Sequence, residues 1–198
     1  MAKRLFDLIV AAVALLLLWP LFAIIALAIK LDSPGPVFFR QERVGRHGVP
    51  FRIHKFRTMV DDAALREREI TVGDDPRITR VGAFLRRHKL DELAQLFDVL
   101  QGSMSLVGPR PEVPRYVQQY PAPLREKVLS VRPGITDLAS IEYRRESELL
   151  ARSDDPERTY VQEVLPRKLQ YAEQYVEHAT LWTDLRLLAR TLQVLWGR

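Results

Sequence analysis

Two neighbouring carboxylates, Asp91 and Glu92, lie one residue beyond a run of cationic or titratable side chains at residues 86–89. Apolar residues recur behind them at helical spacing as far as Gly102, so both acids fall in the first turn of a predicted helix with a glycine cap. Acids at a helix start usually only complement the helix dipole, but a carboxylate can also act as a nucleophile towards phosphorus. Both alternatives are open from these residues alone.

A single arginine, Arg110, lies between Pro109 and Pro111. The two prolines fix the backbone on both sides of it, so its planar guanidinium is presented from a stiff, non-helical loop. Such a group suits bidentate contact with phosphate, and the alternative is a structural salt bridge to an internal carboxylate. The segment Val131–Thr136 repeats the pattern with Arg132, a proline and a glycine that permits close backbone approach.

Residues Leu8–Ile29 form an uncharged apolar run, which is long enough for a helix that crosses a hydrocarbon core of about 30 Å. Trp19 and Pro20 near its middle predict a kink or break, because proline removes a backbone donor. The run therefore either spans the membrane or re-enters it as a hairpin. Basic residues at both ends slightly favour the hairpin, with both ends at an anionic cytoplasmic surface.

The net positive charge of the chain is concentrated in the segment that follows this apolar run. The chain has 198 residues and a net charge of +5, and the segment 36–58 carries six basic residues against one acid. Such a block indicates anionic lipid headgroups or a phosphorylated substrate, and it is too narrow to favour nucleic acid. The absence of cysteine excludes disulfides and thiolate metal sites.

Several motifs occur in a fixed order along the chain: KRLFD at residues 3–7, PVFFRQERVG at 36–45, KFRTM at 55–59, DPRITRVGAFLRR at 75–87, LDELAQL at 90–96, LVGPRPE at 106–112 and VRPGIT at 131–136. Together they resemble the bacterial sugar transferase family, the monotopic phosphoglycosyl transferases. The resemblance covers nearly the whole chain, and its length is similar to that of the minimal, single-domain members.

The resemblance implies an enzyme that transfers a sugar 1-phosphate from a nucleoside diphosphate sugar, usually a UDP-sugar, to a polyprenyl phosphate such as undecaprenyl phosphate, with release of UMP. This is the first membrane step of surface glycan, exopolysaccharide, lipopolysaccharide or glycoprotein assembly. It also implies two displacements through a covalent phosphosugar, with Mg²⁺ as cofactor. Asp91 matches the nucleophile, and Glu92 matches the partner acid that binds the metal.

The resemblance also implies substrate-binding roles for basic residues. Arg87, Arg110 and Arg132 are expected to bind the diphosphate, and Arg144 and Asp184 are expected at or behind the nucleotide. Lys55 and Arg57, from the KFRTM segment, are the further substrate-binding candidates in the basic block.

Three departures from the family pattern stand out. Trp19-Pro20 replaces Ser-Pro in the membrane segment, GITDLASIEY at residues 134–143 replaces GITGWAQVNG, and Lys89 replaces a small hydroxyl residue. The first bears on the geometry of the membrane break and the second on sugar and nucleotide preference.

The expected fold is α/β and α+β-like. Residues 1–35 are expected to form the re-entrant membrane helix and its turn, and residues 36–198 one catalytic domain on the cytoplasmic face of the bacterial inner membrane. A small antiparallel hairpin at Val37–Gln41 and Phe51–Phe56 is predicted, with helices around it at Val60–Ile70, Tyr160–His178 and Leu181–Trp196. The last helix is amphipathic and suits either the membrane interface or the core.

The alternative function is a membrane-tethered basic module that binds anionic lipids without catalysis. Binding of nucleic acid is not expected. The sequence leaves the oligomeric state open, and a homodimer is among the states it allows.

Overall fold

The computed structural model describes residues 2–60, 73 and 75–196, and in that part of the chain helices surround two small sheets. The helices are α1 Ala2–Asp32, α2 Arg80–Arg87, α3 Leu96–Gln101, α4 Pro114–Val117, α5 Ala122–Val128, α6 Leu138–Glu142, α7 Glu146–Leu150, α8 Pro156–Thr159, α9 Leu165–His178 and α10 Leu181–Trp196. The strands are β1 Phe38–Val44, β2 Pro50–Phe56, β3 Ser105–Val107 and β4 Gly134–Thr136. Shorter turns are 3₁₀ at Arg46–Gly48 and Leu90–Gln95 and π-helical at Tyr160–Val164.

The combination of helices and small sheets confirms the expected mixed α/β class, without its finer membrane details. The helix predicted at Val60–Ile70 lies almost wholly outside the described residues. The final helix is confirmed as α10, and the helix predicted at Tyr160–His178 is confirmed with a π-helical first turn.

The predicted hairpin is confirmed: β1 and β2 pair antiparallel, with Phe38 opposite Phe56. The outer edge of β2 is covered by α3, where Asp98 accepts hydrogen bonds from the backbone N–H of His54 at 2.8 Å and from its ring Nδ1 at 2.7 Å. Asp98 is almost fully buried. A buried carboxylate needs such donors, and here they fix the register of the hairpin against α3.

A second pairing was not predicted. Strands β3 and β4 run parallel, with Ser105 opposite Gly134. Their backbones approach so closely behind this pair that a Cβ on Gly134 would lie 2.1 Å from the nitrogen of Gly108. Glycine is therefore required there, and the approach places the Arg110 loop beside the segment that follows β4.

Helix α1 packs on the rest of the chain along one face. Its buried residues are Asp7, Ala11, Phe22, Ile25 and Ile29, which recur at helical spacing from the first to the last turns. The opposite face leaves Leu16, Leu17, Trp19, Ile24, Leu27 and Leu31 more than half exposed. Among the described residues, α1 is the one helix long and apolar enough to cross a membrane.

Pro20 does not end this helix. The structure assigns α1 as continuous from Ala2 to Asp32, so of the predicted kink or break at Trp19–Pro20 the break is wrong and the kink stays a prediction. A proline removes only one donor from the helical ladder. Beyond it, Phe22 and Ile25 pack into a buried apolar cluster with Phe56, which holds the second half of the helix in place.

The N-terminal end of α1 is anchored by charged side chains. Lys3 Nζ donates to Asp184 Oδ2 at 2.6 Å and to the carbonyl of Val107 at 3.1 Å. Asp7, which is 2% exposed, accepts from the Ser105 hydroxyl at 2.8 Å and from the Leu106 N–H at 3.3 Å. The first turns of α1 are therefore bonded to β3 and α10.

The C-terminal end of α1 is anchored separately. Asp32 Oδ2 accepts from the N–H of Val81 in the first turn of α2 at 2.9 Å. Arg57, buried just after β2, donates to the carbonyls of Ser33 at 2.7 Å and Pro34. Both ends of the apolar helix are thus bonded to the same body of residues.

We expect Gly82→Ala to destabilise the protein. Alanine is the better helix former, but its Cβ would lie 2.0 Å from the Thr58 carbonyl oxygen, so overpacking should cost about 1–3 kcal/mol. Thermal unfolding in detergent micelles measures the effect. The matched control is Ala83→Ser at the exposed neighbouring position, which should change the melting temperature little. A Gly82→Ala protein as stable as the control would contradict the close approach of α2 to Thr58.

Candidate active site

The two acids predicted as the chemical centre lie at the junction of α2 and α3. Lys89, two residues beyond α2, has a left-handed backbone with φ 56°, which turns the chain into the 3₁₀ segment Leu90–Gln95. Asp91 and Glu92 lie in the first turn of that segment, which continues directly into α3. The predicted helix is confirmed with its glycine cap at Gly102, but its first turn is 3₁₀ instead of α-helical.

Glu92 is held by two cations from distant parts of the chain. Its Oε1 accepts from Lys55 Nζ on β2 at 2.9 Å and from Arg110 Nη2, and its Oε2 accepts from Arg110 Nη1 at 3.2 Å. The guanidinium fork thus meets both oxygens of the carboxylate. This is the bidentate geometry in which arginine binds carboxylate or phosphate most strongly.

Burial and charge shift the pKa values of these three groups. Burial would raise the pKa of Glu92, but Arg110 and then Lys55 lower it well below the ordinary value. Glu92 raises the pKa of Arg110, whereas burial lowers the pKa of Lys55 against the attraction of Glu92. The low pKa of Glu92 keeps it an anion at neutral pH, held by Lys55 and Arg110.

Asp91 differs from its neighbour, since it is 9% exposed and its Oδ1 has no hydrogen-bond partner among the described residues. Burial and then the charge of Glu92 raise its pKa, while Lys55 and Lys89 oppose that shift. A helix start favours the ionised form of a carboxylate, whereas burial here favours the protonated form. A desolvated carboxylate with an unused lone pair is suited to nucleophilic attack once ionised.

The loop that carries Arg110 is bonded along its whole length. The Arg110 N–H donates to Asp137 Oδ2 at 3.3 Å, the Gly134 N–H donates to the Pro109 carbonyl at 3.0 Å, and Arg43 Nη1 donates to the Pro111 carbonyl at 3.1 Å. These contacts fix the backbone that the flanking prolines already restrict.

Glu112 closes the same loop inside a buried polar cluster. Its Oε1 accepts from the Tyr160 hydroxyl at 2.7 Å and lies 3.7 Å from Lys168 Nζ, and its carbonyl accepts from the Val44 N–H at 3.0 Å. Burial and then Glu112 raise the pKa of Tyr160, so its hydroxyl keeps the proton that it donates. Sequence reasoning missed these supports of Arg110, although Glu112 ends the LVGPRPE motif.

The structure brings only some of the predicted site residues together. Lys55 and Arg110 join Asp91 and Glu92, while Arg87 is exposed at the end of α2. Arg57 donates to the turn after α1. Arg132 donates to the Gly102 carbonyl at 2.8 Å and Arg144 to the Val194 carbonyl at 2.8 Å, and Asp184 accepts from Lys3 and the Tyr175 hydroxyl at 2.6 and 2.7 Å. Their substrate-binding roles stay predictions from the resemblance.

Among the described residues, no group of three or more acidic or histidine side chains is placed to hold a metal ion. Mg²⁺ is usually held by one or two carboxylates together with substrate phosphates, so one carboxylate such as Glu92 is compatible with the expected ion. Both oxygens of Glu92 are already bonded to cations. The expected cofactor stays a prediction.

Comparison with known proteins agrees with this set of motifs. The sequence pattern of the family described as "Bacterial sugar transferase" matches residues 1–198. A relative from Xanthomonas campestris pv. campestris, named UDP-glucose:undecaprenyl-phosphate glucose-1-phosphate transferase, is 42% identical over 96% of this chain and 38% of its own length. A relative of the same name from Caulobacter vibrioides is 40% identical over 96% of this chain and 68% of its own length.

A relative from Aeromonas hydrophila is named for a different sugar, as UDP-N-acetylgalactosamine-undecaprenyl-phosphate N-acetylgalactosaminephosphotransferase. It is 36% identical over 98% of this chain and 43% of its own length. The chain spans about two fifths of the length of several curated relatives that it matches. Since the family pattern covers every residue, the chain belongs to the bacterial sugar transferase family.

Proposed function

We propose that this protein transfers a sugar 1-phosphate from a UDP-sugar to a polyprenyl phosphate such as undecaprenyl phosphate, with release of UMP. The observation that carries the proposal is a buried carboxylate with an unbonded oxygen, Asp91, directly beside two converging cations, Lys55 and Arg110. The printed names of several relatives join a UDP-sugar donor to an undecaprenyl phosphate acceptor, which supports the same donor and acceptor classes here.

In the first displacement, a carboxylate oxygen of Asp91 attacks the phosphorus that carries the sugar. A bond forms between that oxygen and phosphorus, the bond from phosphorus to the bridging oxygen breaks, and UMP leaves with the bonding electron pair. The product on the protein is an aspartyl phosphosugar. The covalent intermediate divides one difficult transfer into two easier displacements.

In the second displacement, an oxygen of the polyprenyl phosphate attacks the same phosphorus. The bond to Asp91 breaks, the carboxylate is restored, and the sugar ends on a lipid diphosphate. Both steps bring anions together, so fixed positive charge beside Asp91 stabilises each transition state. Lys55 and Arg110 lie at the neighbouring Glu92 and supply that charge.

The alternative, a basic module that binds anionic lipids without catalysis, accounts for less of the site. Lipid binding needs exposed cations at a surface. It does not need an almost buried Asp91 with an unused oxygen, or an arginine whose loop is fixed by Asp137 and Glu112.

We infer that α1 enters the membrane from one side and does not cross it. A straight 31-residue helix is about 46 Å long, yet both of its ends are bonded to the same body of residues. A helix that crossed the bilayer would carry its two ends to opposite faces. The exposed apolar face of α1, with Phe84 of α2 and Trp182 of α10 also exposed, would then contact lipid.

This geometry supports a monotopic protein on the cytoplasmic face of the bacterial inner membrane, where a soluble nucleotide sugar and a lipid phosphate can meet. In this arrangement α2 and α10 lie at the interface, and their arginines face anionic headgroups.

We expect Asp91→Asn to abolish transfer. Asparagine keeps the size of the side chain but is not a phosphoryl nucleophile, so UMP release from a UDP-sugar should fall by about 10³-fold or more, and no hydroxylamine-sensitive phosphosugar adduct should form. Radiolabelled sugar nucleotide and purified protein in nanodiscs measure both quantities. The matched control is Asp154→Asn, which alters an exposed aspartate and should retain activity. An Asp91→Asn protein with full activity would refute the covalent mechanism.

We expect Lys89→Asn to move the acidic limb of the pH–rate profile to higher pH. The reacting form of Asp91 is ionised, so activity is lost as pH falls through its raised pKa. Lys89 lowers that pKa, and its removal should therefore raise it, with little change in the plateau rate. Asparagine tolerates the left-handed backbone at this position.

The control for this shift is Lys127→Asn, which removes the same charge from a lysine bonded to Glu173 and Glu177 on α9. Its profile should match that of the wild type. A limb that moves to lower pH in Lys89→Asn, or moves equally in both variants, would show that Asp91 does not govern it.

We expect residue 2 and the catalytic residues to face the same side of the membrane. The chain has no cysteine, so Ala2→Cys and Asp154→Cys each give a single labelling site at an exposed position. A membrane-impermeant maleimide should label both from the same side of oriented vesicles. Labelling of residue 2 only from the opposite side would mean that α1 crosses the bilayer.

A further inference from the structure

Glu92 occupies the place that a phosphate group would take between Lys55 and Arg110. Arg110 donates from Nη1 and Nη2 to the two oxygens of this carboxylate, and Lys55 donates to one of them at 2.9 Å. Carboxylate and phosphate offer the same pair of acceptor oxygens to a guanidinium fork. The contact therefore has the form of a phosphate site that is filled by a side chain.

The two cations cannot easily be left without an anion. Their side chains are only 18% and 29% exposed, and a largely buried charge without a partner is costly. Arg110 cannot withdraw as a unit, because its N–H is bonded to Asp137 and the neighbouring Pro111 carbonyl to Arg43. When no phosphate is bound, a protein carboxylate keeps the pair assembled.

The same two side chains remain open to a ligand on their exposed sides. Glu92 is the member of the trio that a ligand would replace, since a phosphate repeats its contacts and carries more charge. Lys55 and Arg110 are on a sheet and a fixed loop, whereas Glu92 lies in a short 3₁₀ turn.

We propose that Glu92 is a positioning residue that fills the phosphate subsite of Lys55 and Arg110 as an internal anion, and that a phosphate group of a substrate displaces it on binding. The proposal rests on the proposed function for the identity of the substrates. It differs from the metal-ligand role implied by the resemblance.

The experiment measures metal-free binding of UDP by calorimetry, with the protein in nanodiscs and EDTA in the buffer. Glu92→Gln removes the internal anion with little change in shape, so UDP should bind the variant about tenfold more tightly than the wild type. Structural damage alone would weaken binding. Unchanged or weaker binding in the variant would overturn the proposal and would favour a role for Glu92 that depends on metal.

The matched control is Asp91→Asn, which removes one negative charge from the adjacent residue. No hydrogen bond from Lys55 or Arg110 to Asp91 is seen among the described contacts, so its UDP affinity should rise by much less than that of Glu92→Gln. An equal gain in both variants would show a general effect of charge and would contradict a specific internal anion.

A second measurement guards against an unstable variant. Glu92→Gln should melt at a lower temperature than the wild type in phosphate-free buffer, and inorganic pyrophosphate should raise its melting temperature more than that of the wild type. Glu92→Asp keeps the charge on a shorter side chain and should show a smaller rescue. Equal responses of all three proteins would overturn the proposal.

The phosphate that displaces Glu92 belongs either to the lipid or to the nucleotide. UDP affinity measured in nanodiscs with and without polyprenyl phosphate separates these two cases. If the lipid phosphate displaces Glu92, added lipid should weaken UDP binding to Glu92→Gln, and if the nucleotide does so, affinity should not change. Neither binding measurement depends on turnover. If no covalent adduct forms at Asp91, the proposed function is refuted. The UDP-binding measurements would still decide whether Glu92 fills the phosphate subsite.

Discussion

The convergence of Lys55 and Arg110 on the carboxylate of Glu92 is the interaction on which the rest of the site depends. It joins a strand, a 3₁₀ turn and a proline-flanked loop that are far apart in sequence. A largely buried cluster of two cations and one anion is stable only if its members are held at bonding distance, because desolvation of each charge is costly. The fold around the site supplies that restraint, and the surplus positive charge is left beside the unbonded oxygen of Asp91.

Each member of the cluster has its own support. Strand β2 is fixed on α3 by the bonds from His54 to Asp98, and the Arg110 loop is held by the pairing of β3 with β4 and by Glu112. These supports use backbone donors and acceptors that a flexible loop would leave to water. The electrostatic field at Asp91 is therefore organised before any substrate arrives, which is the condition for efficient stabilisation of a phosphoryl transition state.

The sequence predicted the parts of this arrangement that follow from local pattern. Alternation predicted the hairpin, helical spacing predicted α10, and the stiff presentation of Arg110 followed from its prolines. The β3–β4 pair has only three residues per strand, which is too short for a periodic signal. The partners of Arg57, Arg132 and Arg144 are backbone carbonyls, and a sequence carries no mark of which carbonyl a side chain will reach. Their positive charge alone could not show that these arginines bond to the backbone whereas Arg110 lies in the site.

The apolar helix and the site are linked through very short stretches of chain. Leu106 is bonded to Asp7 near the start of α1, and Arg110 follows four residues later. Arg57 is bonded to the carbonyls that follow the end of α1, and Lys55 precedes it by two residues. Each cation that holds Glu92 is therefore tied to one end of the helix that would enter the membrane. Because neither cation can move far without breaking an anchor of α1, the depth of the helix in the lipid would set the height of Asp91 above it. In the proposed reaction, Asp91 accepts a soluble sugar nucleotide and then meets a lipid phosphate, which requires that fixed height, and a flexible tether would not provide it.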